Sequence, residues 1–288
     1  MTKNIAKSIK ARLLIIAKKE NLNYQLLIIR YLYERLLYRL SVSQYKNKFC
    51  LKGGALLYAF EKDIPRPTLD IDFLGMKIKN DIDTIKRVFG EILAIPCDDG
   101  ILFDMPAIQA EEINESKSYQ GVRVTFTAKL DSIRQTMRID IGFGDIIIPT
   151  AQDLIYPVLM DELPAPKILA YSLESVIAEK FQAMIELSEV NSRYKDFYDV
   201  YKILSSQQLD YETLCGAIQA TFSNRATSYQ GTHPLFTESF MNDKSRNIQW
   251  KRFLKKIRQD ENLSFEDVMI LIRSKLNPIY QTLNTDKK

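Results

Sequence analysis

A chain of 288 residues allows one or two domains and buries enough surface to fold without a disulfide or metal staple. Apolar residues at 46% and charged residues at 26%, with 10 Gly and 10 Pro, exclude collagenous, low-complexity and disordered classes. The net charge of +4 hides a segregation: residues 1–52 carry net +10, residues 53–165 net −8, residues 166–240 net −3 and residues 241–288 net +5. Such a pattern fits metal-binding carboxylates between ends that attract polyanions, and it fits equally two solvated basic helices.

Taken in chain order, helical spacing predicts helices over 4–19 and 22–41, the second with Leu26, Ile29, Tyr33, Leu36, Leu37 and Leu40 on one stripe. A short strand over 48–52 ends at Gly53-Gly54, and a short helix follows over 55–60. Pro65 and Pro67 mark a loop, 69–74 alternates as a strand, and 81–95 returns to helical period. Residues 101–103, 108–113, 122–130 and 136–143 carry the alternating or β-branched runs of strands. Pro157, Pro164 and Pro166 punctuate the next stretch, and a domain boundary is expected there, between 1–165 and 166–288. Beyond it every segment reads helical: 172–188, 195–205, 211–222, 243–259 and 265–275. The fold class expected is α+β, a mixed-sheet domain with N-terminal helices followed by an all-helical domain.

Composition restricts the chemistry. His233 is the only histidine and reads as a structural loop residue, so multi-histidine metal sites are excluded. Cys50, Cys97 and Cys215 are far apart and form no CxxC, which points to a reducing, cytoplasmic setting. No apolar run approaches the ~18 residues of a membrane helix, and the basic N-terminus lacks a secretory apolar core. Transfer chemistry therefore rests on carboxylates, lysine, hydroxyls or a hard metal ion.

The sharpest local signal is Leu51-Lys52-Gly53-Gly54-Ala55-Leu56 followed by Arg66-Pro67-Thr68-Leu69-Asp70-Ile71-Asp72. On a strand Asp70 and Asp72 share one face, about 7 Å apart, while Leu69, Ile71 and Phe73 take the other. Paired carboxylates there repel unless a cation lies between them, and hard oxygens on a rigid strand suit Mg²⁺. The glycine pair leaves backbone N–H groups open to a phosphate. Asp140, between Ile139 and Ile141, offers a third carboxylate for metal-assisted phosphoryl transfer, or else is a strand residue paired to Arg138 or Arg123.

In the helical half Lys180 borders the apolar stripe Val176, Ile177, Phe181 and Met184, where it either snorkels to water or reaches a buried anion. Asp196 and Asp199 share a helix face, with Lys195 placed for a surface ion pair to Asp199. Five tyrosines of the basic N-terminal segment (Tyr24, Tyr31, Tyr33, Tyr38, Tyr45) can stack on unpaired bases or pack in the core. The run Lys251, Arg252, Lys255, Lys256 and Arg258 can track a phosphate backbone or form a solvated face.

Together, the LKGGAL segment Leu51–Leu56, the RPTLDID segment Arg66–Asp72, Ala178-Glu179-Lys180 and the RYKDFYD segment Arg193–Asp199 resemble the AbiEii/AbiGii-type nucleotidyltransferase toxins of the polymerase-β-like superfamily. The likeness runs from about residue 48 to residue 204 in motif order. It implies a nucleotidyltransferase-fold domain, Mg²⁺ as cofactor, a nucleoside triphosphate as substrate, and RNA, at the tRNA 3′ end, as acceptor. A cognate winged-helix antitoxin is the partner it implies. The resemblance also implies roles: Asp70 and Asp72 as metal pair with Asp140 as third carboxylate, Gly53 and Gly54 as phosphate turn beside Lys52, Arg66 as a nearby positive charge, and Lys180 on the triphosphate. Asp196 is the essential aspartate of the last motif, with Asp199 close behind, and the base role falls to either Asp140 or Asp196. Gly54 departs from the serine common at the second turn position, and Thr68 is a candidate to supply the hydroxyl. Two other readings are a nucleotidyltransferase acting on a small molecule and a non-catalytic module that binds RNA or a protein.

Overall fold

The computed structural model describes residues 2–60, 66–116, 119–259 and 262–283, so Pro65 of the expected loop lies outside the described residues. The chain forms two compact units: unit 1 comprises Met1–Gly144 and Ala151–Tyr171, unit 2 Asp145–Thr150 and Ser172–Lys288. The division thus falls at three places rather than once near 165, and the expected strip of helix after residue 166 begins with a strand of unit 1.

Unit 1 opens with helices α1 (Thr2–Lys19) and α2 (Tyr24–Val42). It continues with β1 (Phe49–Lys52), α3 (Gly53–Leu57), β2 (Ile71–Gly75), α4 (Ile82–Leu93), β3 (Ile101–Phe103), β4 (Gln109–Ser116), β5 (Tyr119–Leu130), β6 (Ile133–Phe143), β7 (Gln152–Ile155) and β8 (Lys167–Ala170). The strands form one mixed sheet in the order β3-β5-β6-β2-β1-β8-β7, with β4 also paired to β5. Strand β2 runs antiparallel to β1 and parallel to β6, and β5 and β6 form an antiparallel hairpin turning at Asp131-Ser132. Alternation drives this sheet. Val122, Val124, Phe126, Ala128 and Leu130 of β5 and Met137, Ile139 and Ile141 of β6 are buried on one face, which leaves Arg123 and Asp140 on the other. Helix α2 buries Leu32, Leu36, Leu37 and Leu40 as its stripe requires, and Asn23 caps it by accepting from the Leu26 N–H.

Strands β7 and β8 are four residues each, flanked by the prolines, and are too short for a period-2 signal to show in the sequence. β8 pairs parallel with β1 through Cys50 and Leu51, so it belongs to the sheet and not to the helical half.

Unit 2 holds α5 (Leu173–Leu187), α6 (Tyr194–Ser206), α7 (Tyr211–Asn224), the short α8 (Glu238–Met241), α9 (Lys244–Ile257) and α10 (Phe265–Thr282). Ser172 starts α5 by accepting from the Ser175 N–H. Phe181, Phe222, Phe236 and Tyr280 form one aromatic cluster, and Tyr194, Phe197, Trp250 and Phe265 another. The segment Asp145–Thr150 joins this unit because the Ser175 hydroxyl donates to the Ile148 carbonyl and Arg225 pairs with Asp145. His233 is buried, its Nδ1 accepting from the Leu235 N–H and its Nε2 facing the Ile185 carbonyl at 3.1 Å, a packing role. Among the described residues no helix is long and apolar enough to cross a membrane.

One buried carboxylate is held at a cost. Glu34 of α2 is fully buried, accepts from the Leu159 N–H at 2.7 Å and lies 3.6 Å from the Arg35 guanidinium. Burial raises its pKa to about 7 against the pull of that hydrogen bond and of Arg35. Between the ordinary carboxyl range and pH 7 the folded chain keeps this proton while the unfolded chain releases it, so stability falls as pH rises through that window and stays reduced above it. Glu34→Gln removes the loss. Thermal melts should show the wild type losing about 3 kcal/mol more than the variant between pH 4 and pH 8, and parallel pH profiles would refute the assignment.

Candidate active site

In unit 1 the strand registers gather the charged motif residues into one row. Lys52 of β1 lies opposite Asp72 of β2, Asp72 opposite Asp140 of β6, Asp140 opposite Arg123 of β5, and Arg123 opposite Glu111 of β4. Like charges directly opposite destabilise a sheet, and here the two aspartates stand between two cations. Arg123 donates to both oxygens of Asp140 through Nε and Nη2, each at 2.7 Å. Such bidentate, charge-assisted pairing is the strong form of the interaction. Asp140 is thus an arginine-paired strand residue, one of the two alternatives its alternation left open. Among the described residues no group of three His, Cys, Asp or Glu side chains could hold a metal ion, so the expected three-carboxylate set does not converge.

Asp72 has a different neighbour. Gly53 has φ +68°, and a Cβ built there would lie 2.0 Å from Asp72 Oδ2. The carboxylate therefore occupies the space over the glycine, and both the backbone conformation and the close approach demand Gly at 53. Asp70 precedes β2 rather than lying within it, is half-exposed, and pairs with Arg138 Nη1 at 3.7 Å. Tyr33 of α2 ties the entry of β2 to the middle of β6. Its hydroxyl donates to the Leu69 carbonyl at 2.5 Å and accepts from the Arg138 N–H at 3.4 Å. Burial raises the Tyr33 pKa, so this hydroxyl stays protonated. Tyr33 was legible only as a core or stacking residue; its role in spacing the two strands was not.

At the second glycine a Cβ would lie 2.3 Å from Thr68 Oγ1 and 3.0 Å from an Arg66 nitrogen. The Arg66 Nη1 lies 3.4 Å from both Thr68 Oγ1 and the Pro67 carbonyl. Thr68 and Arg66 thus fill the space that a side chain at Gly54 would take. Lys52 is buried, with its ammonium 5.9 Å from the Tyr171 ring centre.

Unit 2 holds a second charged group, compact and almost dry. Lys180 of α5 donates to Asp196 Oδ1 and pairs with Asp199 Oδ2 of α6, each at 2.8 Å. Arg193 adds its Nε to Asp196 Oδ2 at 2.7 Å. Both aspartates are fully buried. Burial pushes the Asp196 carboxyl up, but Lys180 and Arg193 outweigh it and hold it below the ordinary range. A carboxylate so held is a poor proton acceptor and a good anchor for the ammonium. The surface Lys195–Asp199 pair weighed from spacing gives way to Lys180, because Asp199 points inward.

A family profile described as "Nucleotidyl transferase AbiEii toxin, Type IV TA system" matches residues 35–270. The chain belongs to the AbiEii nucleotidyltransferase toxin family. No curated protein sequence matches it. Among solved structures, the crystal structure of JHP933 from Helicobacter pylori is similar with a TM-score of 0.50 at 15% identity, covering 92% of this chain and 95% of that one. The nucleotidyltransferase toxin MenT4 from Mycobacterium tuberculosis gives 0.49 at 14% identity, covering 90% and 94%. At these identities the likeness to JHP933 speaks for the fold. Membership makes the AbiEii chain a nucleotidyltransferase with a nucleoside triphosphate as substrate, and makes an antitoxin its expected counterpart.

The buried pair gives a direct expectation. Lys180→Met leaves two buried aspartates short of their main cation and should lower stability by about 3–5 kcal/mol. Asp196→Asn with Lys180 intact should cost less, since Asp199 still pairs with the ammonium. Urea denaturation of the variants checks this, and an unchanged midpoint for Lys180→Met would refute the pairing.

Proposed function

We propose that this AbiEii family member is a Mg²⁺-dependent toxin that transfers a nucleotide from a triphosphate to RNA, with the tRNA 3′ end as acceptor. The observation that carries the reading is the Asp72 carboxylate filling the space over Gly53, with Asp70 two residues before it. These are hard oxygen donors on a rigid strand entry, and they fit Mg²⁺, which takes its remaining ligands from water and phosphate. When bound, the ion neutralises charge on the triphosphate and its leaving group. Asp70 and Asp72 are the residues proposed to hold it. Gly53 and Gly54 are proposed as the turn that meets the phosphates, with Arg66 and Thr68 adding a positive charge and a hydroxyl beside Gly54.

Lys180 is proposed to meet the triphosphate, its ammonium aligned by Asp196 and Asp199. Asp196 is read as that positioning group rather than as the base, because its pKa is held low. Asp140 is read as fixing Arg123 and balancing the charge row rather than binding metal. The reaction breaks the bond between the α-phosphorus and the oxygen bridging to the β-phosphate, joins the α-phosphorus to the oxygen of an acceptor hydroxyl whose proton passes to solvent, and releases pyrophosphate.

Support for RNA as acceptor comes from surface charge. Part of the N-terminal excess is spent inside unit 1, where Lys10, Arg12, Arg35 and Arg39 face Asp131, Glu162, Glu34 and Asp99. The α9 run is different: Lys251, Arg252, Lys255 and Lys256 are all exposed. A polyanion gains from such a run. A winged-helix antitoxin and a cytoplasmic site of action complete the proposal.

Purified protein incubated with Mg²⁺, total tRNA and each labelled triphosphate in turn should place label on tRNA. Asp70→Ala should reduce it by at least about 100-fold. Label in a low-mass product with tRNA untouched would overturn RNA in favour of a small acceptor, and no label with any triphosphate would overturn the reaction.

A further inference from the structure

Unit 2 contains a cavity of about 520 Å³, in the size range of small-ligand sites, walled by the 189–194 turn, α8 and the start of α9. Its most telling group is Asn191, only 3% exposed. The Asn191 Oδ1 accepts from the Arg193 N–H at 2.8 Å, while its Nδ2 is buried with no hydrogen-bond partner among the described residues. An unmet buried donor is destabilising, so Asn191 is held on the cavity wall at a cost.

The rest of the wall says what kind of ligand. Arg246 is fixed: Nη1 donates to the Asn191 carbonyl and Nη2 to the Glu189 carbonyl, each at 2.9 Å, and its guanidinium lies 3.9 Å from the Phe240 ring centre. It offers a flat, rigid edge. Glu189 and Asp243 also line the cavity and outnumber this one cation, so a phosphate is disfavoured inside. Tyr194 adds an aromatic surface, its hydroxyl donating to Gln249 Oε1 at 3.2 Å. A flat, uncharged ring with hydrogen-bond acceptors and donors on its edge matches this set; a nucleobase is such a ring.

Helix α9 supplies the route. Ser245 and Gln249 line the cavity, and Arg252 and Lys256 continue the same helical stripe at i+7 and i+11 from Ser245, both exposed. Cations outside and a polar, net-acidic pocket inside suit a strand whose phosphates stay at the surface while one base turns in. We infer that this cavity receives one unpaired base of an RNA whose backbone follows Arg252 and Lys256. The inference rests on the reading of RNA as acceptor.

The test is equilibrium binding of a fluorescent single-stranded oligoribonucleotide and of its paired duplex to the whole chain across a salt series. Ser245→Leu fills the cavity from an exposed position, and Gln249→Leu is the second filling variant, used where the first fails to melt as the wild type does. Filling should weaken single-stranded RNA about 5- to 150-fold, the range of one stacked base, and leave the duplex unchanged. Arg252→Ala with Lys256→Ala should reduce the salt slope by about 1.4, two phosphates' worth on a single strand. Equal single-strand affinity in the filled and wild-type proteins overturns the inference, as does equal loss for both RNAs. A filled variant that binds RNA normally but loses a protein partner overturns it in favour of protein docking. Label transfer to tRNA is scored separately: its absence with discrimination intact counts against the proposed reaction alone, and its presence without discrimination counts against the cavity alone.

Discussion

Two aspartates lie side by side in the middle of a sheet, and unit 1 is arranged around keeping them there. Asp72 and Asp140 are direct neighbours on parallel strands, a placement that would push the strands apart if nothing stood outside them. Lys52 and Arg123 stand outside them on the adjoining strands. The two carboxylates have different surroundings. Arg123 takes both oxygens of Asp140. Asp72 leans over Gly53, at the point where β1 becomes α3. A side chain at 53 would break that arrangement twice, once through φ and once through the collision.

Unit 2 meets the same problem in a drier setting. Placing Asp196 and Asp199 in the interior costs several kcal/mol per ion unless the geometry repays it. Lys180 bridges both and Arg193 closes on Asp196, so two carboxylates meet two cations from α5 and from the residue before α6. The arrangement holds the ammonium by two carboxylates rather than one. Free rotation of a lysine tip is thereby exchanged for a fixed direction.

Much of this was legible in the residues. Alternation in 69–74 and 136–143, the stripe of α2 and the stripe of α5 all correspond to observed elements, and the four ordered motifs were enough to point to the AbiEii family. What failed did so for identifiable reasons. Strands β7 and β8 are four residues long between prolines, and β8 joins the sheet by pairing with β1, a contact more than a hundred residues away that no local period encodes. Asp145–Thr150 follows β6 in sequence but is held by Ser175 and Arg225 of unit 2. The Arg123–Asp140 pair was recoverable in principle. A two-residue turn at Asp131-Ser132 fixes the register of the β5–β6 hairpin, and counting outward from Leu130 and Ile133 brings Arg123 opposite Asp140. Asn191 carried no such signal, because an unmet donor exists only once its surroundings are built.

The second glycine is packed against the loop that leads into β2. A Cβ at 54 would lie 2.3 Å from Thr68 Oγ1, so a larger residue there requires the Thr68 and Arg66 side chains to turn away. With Gly54, the hydroxyl reaches the turn from the strand that enters β2 and brings Arg66 with it, 3.4 Å away. The hydroxyl therefore lies next to the turn but is attached to the incoming loop. Its position then depends on the same segment that carries Asp70 and Asp72, so one stretch of backbone, anchored by Tyr33 at Leu69, sets the hydroxyl, the guanidinium and both carboxylates together.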